Sequence, residues 1–286
     1  MPENVTDHAA PQPVIRVLDV VKRFGGLAVL DGVSLEVYPG ETMVIMGGSG
    51  CGKSTLLRLM IGSLFPDEGH VQMFGRNLDE LDDAGLDALR LRFGILFQSG
   101  ALFNSMSLGE NVALPLAEHT DLDRETIEIM VKIKLEQVGL REAAERMPAQ
   151  LSGGMKKRAG LARAIALDPE ILFYDEPSAG LDPVTSAEID QLIMDMAGKL
   201  GVTSVVVTHE MDSAFRIADR MAMLDAGRII KVGRRSEFEA LRDCPLTGDE
   251  ETDLVRQFLR GDSEGPITAR RLSTGYERDI LGGAGF

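Results

Sequence analysis

The chain has 286 residues, of which 44% are hydrophobic, enough apolar material for one large α/β domain with an accessory piece. A formal net charge of −15 and a pI near 4.8 would repel a polyphosphate backbone rather than recruit it, which argues against nucleic-acid binding. Only two cysteines occur, Cys51 and Cys244; they offer neither a disulfide framework nor a metal-ligand spacing, and suit a reducing cytosol.

Residues 1–13 are polar, carry Glu3, Asp7 and three prolines, and read as a short flexible tail with no apolar run resembling a signal peptide. No apolar run approaches the ~20 residues needed to cross a bilayer, so service to a membrane would go through another subunit. Residues 14–37 are rich in β-branched side chains and alternate strictly at Val33, Leu35 and Val37 against Ser34 and Glu36, which predicts antiparallel strands ending at the Pro39-Gly40 turn. Residues 43–46 form a short, wholly apolar strand that enters Gly47-Gly48-Ser49-Gly50-Cys51-Gly52-Lys53-Ser54-Thr55. Leu56, Leu57, Met60, Ile61 and Leu64 follow at helical spacing. A further strand, Gly94-Ile95-Leu96-Phe97, leads into Gln98.

Residues 121–147 are charged and helical in composition, with Ile127, Met130, Val131, Ile133 and Leu135 supplying an apolar side, and read as a helical insert. Leu151-Ser152-Gly153-Gly154-Met155 then precedes a basic, Ala-rich helix, so Ser152 is expected at its N-cap. Strands are expected at 171–174 and 202–207, and 221–232 should fold back at Ala226-Gly227 as a hairpin. Beyond residue 242 the chain turns polar. Leu254, Val255, Phe258 and Leu259 would make one apolar face of a short helix, marginal alone, whose expected cover is a docking partner, with packing onto its own cassette as the alternative, while the glycines at 282–285 should stay flexible.

The spacing of Gly47 to Gly52-Lys53-Ser54, between a strand and a helix, is that of a phosphate-binding loop: backbone N–H groups at a helix start face phosphate oxygens, Lys53 reaches the β and γ phosphates, and Ser54 ligates Mg²⁺. A chance match in a chain of this size is on the order of 1 in 100. The apolar run 171–174 ends in Asp175-Glu176, where an Mg²⁺-organising carboxylate and a water-activating base can sit; alone such a pair is usually a solvated loop, but well downstream of a phosphate loop it points to catalysis. His209 emerges at the carboxyl edge of a strand, within reach of a γ-phosphate, though a lone edge histidine is more often merely hydrogen-bonded. Gln98 could bring its amide oxygen to Mg²⁺ and the attacking water, and by itself says little. Ser152, Gly153 and Gly154 form a second anion-binding helix start, explained either as an ordinary cap or as a lid for another subunit's nucleotide.

Taken in order, the phosphate loop, Gln98, Leu151-Ser152-Gly153-Gly154, Asp175-Glu176, Ser178-Ala179-Gly180-Leu181-Asp182 and His209 resemble the ABC ATPase family over about residues 14–241. The resemblance implies an α/β P-loop NTPase core with an antiparallel β subdomain, an inserted helical subdomain at about 99–160, and a C-terminal extension at 242–286 for dimer or partner docking. It also implies an ATP- and Mg²⁺-dependent ATPase coupled to transport. In that family two cassettes face head to tail, so Ser152, Gly153 and Gly154 would serve the opposite chain's γ-phosphate. Asp182 would touch across the dimer, and Phe24 would stack on adenine unless it is a plain core residue. Met155, where most ABC signatures carry glutamine, the stretch Phe97-Gln98-Ser99-Gly100-Ala101-Leu102-Phe103, and the tail Val255-Arg256-Gln257-Phe258-Leu259 are similar to the Mla/Mce lipid-transport ATPases. That likeness implies a phospholipid or related hydrophobic cargo, a peripheral place on the cytoplasmic face of a bacterial inner membrane, and four kinds of partner: a second copy of the chain, an integral permease, an MCE-domain lipid-binding protein and a STAS-domain subunit. The ATPase of a small-solute importer would share every catalytic residue; only Met155, the neighbourhood of Gln98 and the tail argue against it.

Overall fold

The structure is a computed structural model in which residues 12–269 are described. Its first strands, β1 (Ile15–Phe24) and β2 (Leu27–Val37), form an antiparallel hairpin across Gly25-Gly26, both at positive φ. The predicted alternation holds, with Leu30, Val33, Leu35 and Val37 of β2 all buried. The core strand β3 (Thr42–Met46) runs into α1 (Lys53–Met60). Then β4 (Glu68–Met73) and β5 (Arg76–Asn77) extend the hairpin into an antiparallel sheet of order β2-β1-β4-β5.

After α2 (Asp83–Arg90) comes β6 (Phe93–Leu96), and then the helical part: α3 (Leu108–His119), α4 (Arg124–Gln137) and α5 (Gly153–Ala164). The chain returns to the core through β7 (Ile171–Asp175), α6 (Pro183–Leu200), β8 (Thr203–Thr208) and α7 (Met211–Ile217). It closes with β9 (Arg220–Asp225), β10 (Arg228–Arg234), α8 (Arg235–Asp243) and α9 (Glu250–Arg260). The second sheet has the order β10-β9-β3-β8-β7-β6; the five strands from β9 to β6 run parallel and β10 pairs antiparallel with β9 across the predicted Ala226-Gly227 turn. Because successive side chains alternate between faces, Val44, Met46, Leu172, Tyr174 and Val206 pack on the helical side, whereas Met43, Ile45, Phe173, Val205 and Val207 pack toward α1 and the antiparallel sheet. A parallel sheet covered on both faces explains why these strands read as continuous apolar runs.

Two expectations are corrected here. On α4 the buried face is Val131, Lys134 and Leu135, while Ile133 is 52% exposed; the Lys134 ammonium is accommodated by an ion pair with Asp168. The tail helix also differs from the expectation of an uncovered docking face. Leu254, Val255 and Leu259 of α9 are buried in this chain's own core, with the helix packed on α8 and its buried Phe238, and Phe258 packs against the same cluster. The helix is capped by Asp249, which accepts from the Thr252 N–H at 2.9 Å, and ends at Gly261 in the left-handed region. Residue 241, where the cassette was expected to end, falls inside α8. Residues 1–11, most of the expected flexible tail, and 270–286, with the glycine-rich end, lie outside the described residues.

Candidate functional site

The phosphate loop leaves β3 at Met46 and enters α1 at Lys53. Two of its glycines are required by space: a Cβ on Gly47 would lie 2.1 Å from the Leu224 carbonyl oxygen, and one on Gly52, at φ 112°, would lie 2.7 Å from Leu30. The first-turn N–H groups of α1 have no intrahelical acceptor and carry the positive end of the helix dipole. Lys53 is buried along its stem and donates from Nζ to the carbonyls of Gly47 (2.8 Å) and Gly48 (3.0 Å), which sets a cation at the mouth of the loop. Ser49, Gly50 and Ser54 are exposed, Gly48 and Thr55 are half-buried, and Cys51 is buried, with its thiol pushed up by that burial.

Strand register puts the other predicted residues beside this loop. Met46 pairs with Thr208, Val207 with Asp175, and Tyr174 with Leu96. The chain therefore leaves four adjacent strands at one carboxyl edge, through the loop, His209, Glu176 and Gln98, where open α/β sheets bind ligands. Burial, and secondarily the charge of Glu176, hold the Asp175 carboxyl above the usual range, with Arg58 and Lys53 acting the other way. Glu176 sits at φ 49°, a region that residues other than glycine rarely enter. Its Oε2 accepts from the His209 N–H at 3.3 Å and meets His209 Nδ1 at 2.9 Å, so the candidate base and the candidate γ-phosphate contact form one pair. Gln98 is exposed in a turn closed by Gly100 N–H to the Phe97 carbonyl, 2.8 Å. Phe24 is 49% exposed at the tip of the β1–β2 hairpin with Lys22 Nζ 5.7 Å from its ring centre, so it is a surface aromatic and not a core residue.

Ser152, Gly153, Gly154 and Asp182 form a second group. Ser152 caps α5 as predicted, accepting from the Met155 N–H at 3.3 Å. A Cβ on Gly154 would lie 2.4 Å from Thr185, so this glycine lets the start of α5 pack against the start of α6. Asp182 caps α6 through Val184 N–H (3.0 Å) and Thr185 N–H (3.1 Å) and accepts from Thr185 Oγ1 at 2.6 Å; the hydroxyl bond first, and the Thr185 N–H after it, hold its carboxyl below the usual range.

Sequence reasoning passed over two residues of α5. Lys157, buried, donates to the carbonyls of Ala179 (2.7 Å) and Glu176 (3.3 Å), joining the second group to the first. Its helical spacing from Gly154 and Leu161 places it on the buried face, a signal the sequence did contain. Arg163 donates to the carbonyls of Ala101 (2.8 Å) and Gly100 (3.2 Å), just after Gln98. It also lines a cleft of about 750 Å³ with Phe93, Phe97, Pro115 and His119, beside β6 and away from the phosphate loop.

The ABC transporter family pattern matches residues 30–179. The intermembrane phospholipid transport system ATP-binding protein MlaF of Escherichia coli K12 is 41% identical over 271 residues, which is 95% of this chain and 97% of that protein. The probable ribonucleotide transport ATP-binding protein mkl of Mycobacterium leprae is 43% identical over 253 residues, 88% of this chain and 70% of that protein. Among solved structures, cbiO1 of Clostridium perfringens, part of the ABC transporter complex cbiONQ, superposes with a TM-score of 0.74 at 31% identity, covering 80% of this chain and 91% of its own. The dimeric post-hydrolysis cassette MJ0796 bound to ADP and Pi gives 0.72 at 32% identity, covering 77% and 98%. The chain belongs to the ABC transporter family, as an ATP-binding cassette that couples ATP hydrolysis to transport.

Proposed function

We propose that this cassette, paired with a second copy of itself, energises movement of phospholipid or a related hydrophobic molecule through a partner permease, as a peripheral subunit on the cytoplasmic face of a bacterial inner membrane. The observation that carries the cargo assignment is the end-to-end match to the E. coli phospholipid system, 95% of this chain against 97% of that protein. The match to the protein named for ribonucleotide transport leaves 30% of that relative uncovered, the remainder after its 70%. An MCE-domain lipid-binding protein and a STAS-domain subunit complete the proposed assembly.

In this reading the first-turn N–H groups of α1 receive the phosphates, and Lys53 exchanges its bonds to the Gly47 and Gly48 carbonyls for β and γ oxygens. Phe24 offers its exposed ring to the adenine. Ser54, Gln98 and Asp175 would hold Mg²⁺; a hydroxyl, an amide oxygen and one carboxylate are a hard-oxygen donor set suited to an ion that takes its remaining ligands from phosphate and water. When bound, that ion supplies charge neutralisation on the phosphates. Glu176 takes a proton from the attacking water as the water oxygen bonds to the γ-phosphorus and the bond to the β–γ bridging oxygen breaks, releasing ADP and phosphate. His209, held to Glu176 Oε2, fixes the orientation of the carboxylate and presents its ring to the γ-phosphate. Ser152, Gly153 and Gly154 close on the nucleotide of the opposite chain, with Asp182 reaching across the same interface. The permease would meet the segment after Gln98, where Phe103 is exposed beside Arg163.

The test is ATP-driven transfer of a fluorescent phospholipid by the full-length chain assembled with its permease in lipid nanodiscs. Glu176→Gln should abolish transfer while nucleotide binding persists. An ATPase stimulated by a polar solute, with no phospholipid transfer by the unaltered complex, would overturn the cargo assignment.

A further inference from the structure

Lys157 lies midway along α5, buried, and among the described residues no carboxylate oxygen lies within ion-pair distance of its ammonium. It is held instead by two backbone carbonyls, those of Ala179 at 2.7 Å and Glu176 at 3.3 Å. A buried ammonium is tolerated only where its donors are used, and burial does push this lysine's pKa down, with the charges of Glu210 and Glu176 acting in the other direction.

The two carbonyls bracket the turn that follows β7, and that turn begins with Glu176 in the left-handed region at φ 49°. Such a conformation persists only where the surroundings over-determine it. The backbone contributes two bonds, Glu176 N–H to the Val207 carbonyl at 2.9 Å and Ala179 N–H to the Glu176 carbonyl at 3.3 Å. Side chains contribute from two directions: His209 reaches the carboxylate, and Lys157 reaches the peptide carbonyls. Further along the same helix Arg163 holds the carbonyls of Gly100 and Ala101, so α5 braces the loops after both β6 and β7.

We propose that Lys157 is a positioning residue for ATP hydrolysis: its two carbonyl bonds fix the turn that aims the Glu176 carboxylate at the attacking water. The inference rests on the reading of Glu176 as the base. A carboxylate misplaced by about 1 Å can lose 10²-fold in rate, whereas the phosphate loop, which Lys157 does not touch, keeps its nucleotide. The consequence falls on kcat and not on affinity.

The experiment measures ATP turnover and nucleotide binding on the full-length chain for Lys157→Met, Lys157→Arg, Glu176→Gln and the double variant Lys157→Met with Glu176→Gln. Lys157→Met should lower kcat about 10- to 100-fold with ATP affinity changed less than about threefold. Lys157→Arg, which keeps charged donors on the same face, should retain at least about a third of kcat. In the Glu176→Gln background, Lys157→Met should cost less than about twofold more, because the group it positions is already gone. A residue that merely stabilises α5 would lower activity by the same factor in both backgrounds, and that result overturns the proposal, as does a loss confined to nucleotide affinity. Lys157→Gln, which keeps an uncharged donor, is measured alongside, so a Met variant that does not fold leaves the comparison intact. If Glu176→Gln turns over normally, the base reading falls; if Glu176→Gln is impaired but Lys157→Met is normal, the base reading stands and the positioning role is wrong.

Discussion

Replacing Leu254 by alanine tests whether the C-terminal helix is part of the cassette or an appendage awaiting a partner. Leu254 is 0% exposed, and its neighbours Val255 and Leu259 are buried with it in a helix packed on α8, whose Phe238 is also fully buried. A fully buried Leu→Ala change removes transfer free energy and leaves a cavity, together about 2–5 kcal/mol. For a domain of this size each kcal/mol shifts Tm by about 2–4 °C, so the expected fall is about 4–20 °C. Polar ties around α9 limit how far the site can relax. Asp253 accepts from the N–H groups of Thr247 and Gly248, both at 2.9 Å, and Arg256 donates to the Cys244 carbonyl at 2.8 Å. Gln257 accepts from Ile267 N–H at 2.8 Å and donates to Thr268 Oγ1 at 2.7 Å. The assay is thermal unfolding of the full-length chain followed by circular dichroism, with Glu251→Gln, an exposed position on the same helix, expected within about 0.5 kcal/mol of the parent. Truncation after Arg242 should lower Tm at least as much as Leu254→Ala, because it uncovers Phe238. A Leu254→Ala chain that melts within about 1 °C of the parent yet loses dimer or permease association would refute the packing argument and restore the helix to a docking role.

Other outcomes follow from the site. Glu176→Gln should keep ATP binding and slow turnover by roughly 10²–10⁴-fold, and near-normal steady-state hydrolysis would remove Glu176 as the base. A dimer mixing Lys53→Ala with Ser152→Arg subunits should keep one composite site whole and close around ATP better than either variant alone; equal failure of all three would dissolve the shared-site arrangement. Phe103→Asp, at a side chain 50% exposed beside Arg163, should uncouple ATPase from the permease with nucleotide affinity unchanged, and a lost affinity would instead make Phe103 part of the nucleotide site. Asp123, Asp182 and Asp249 cap helices with carboxyls held below the usual range by bonds from Thr126, Thr185 and Thr252. The unfolded chain therefore binds more protons, and this stability, present above about pH 4, is lost as pH falls through the depressed values. Glu41 and Asp175, raised by burial, oppose this above about pH 4. Urea midpoints at pH 3 and pH 6 check the sign: the acid value should be lower, less so for Asp182→Asn, and a flat profile would contradict it.

The parts of the fold that sequence made legible are those where one local rule dominates. Strand 43–46, the glycine loop and the helix after it follow from periodicity and from space that only glycine fits, and the Ala226-Gly227 turn appears where expected. The Ser107 and Glu110 capping box that opens α3 is a local signal that the sequence reading passed over, having begun the helical insert at residue 121. What stayed hidden depends on tertiary context. Periodicity on α4 gave Ile133 to the apolar side, but the face that packs contains Lys134, whose charge is met by Asp168 far along the chain. The pattern of α9 showed that an apolar face needs cover without saying whose surface provides it. The left-handed backbone at Glu176 leaves no mark in the residue type, because glutamate has no intrinsic preference for that conformation.

The arrangement also bears on why this chain carries two capped or glycine-lined helix starts that can face an anion. The start of α1 already supplies free N–H groups, a dipole and the Lys53 ammonium, which suffices for one set of phosphates. The start of α5 has a dipole of the same sign and an exposed serine cap whose hydroxyl takes the Met155 N–H, but Gly154 packs it against α6 beside Asp182 and Lys157 ties it to the turn of Glu176. On a single chain the second start is redundant. In a two-fold pair every contact occurs twice, so the α5 start of each copy can complete the α1 site of the other without any further residue. Lys157 then stands between the cap that would feel the partner's nucleotide and the carboxylate that would act on the chain's own, so a shift of α5 on closure would reach Glu176 through two hydrogen bonds.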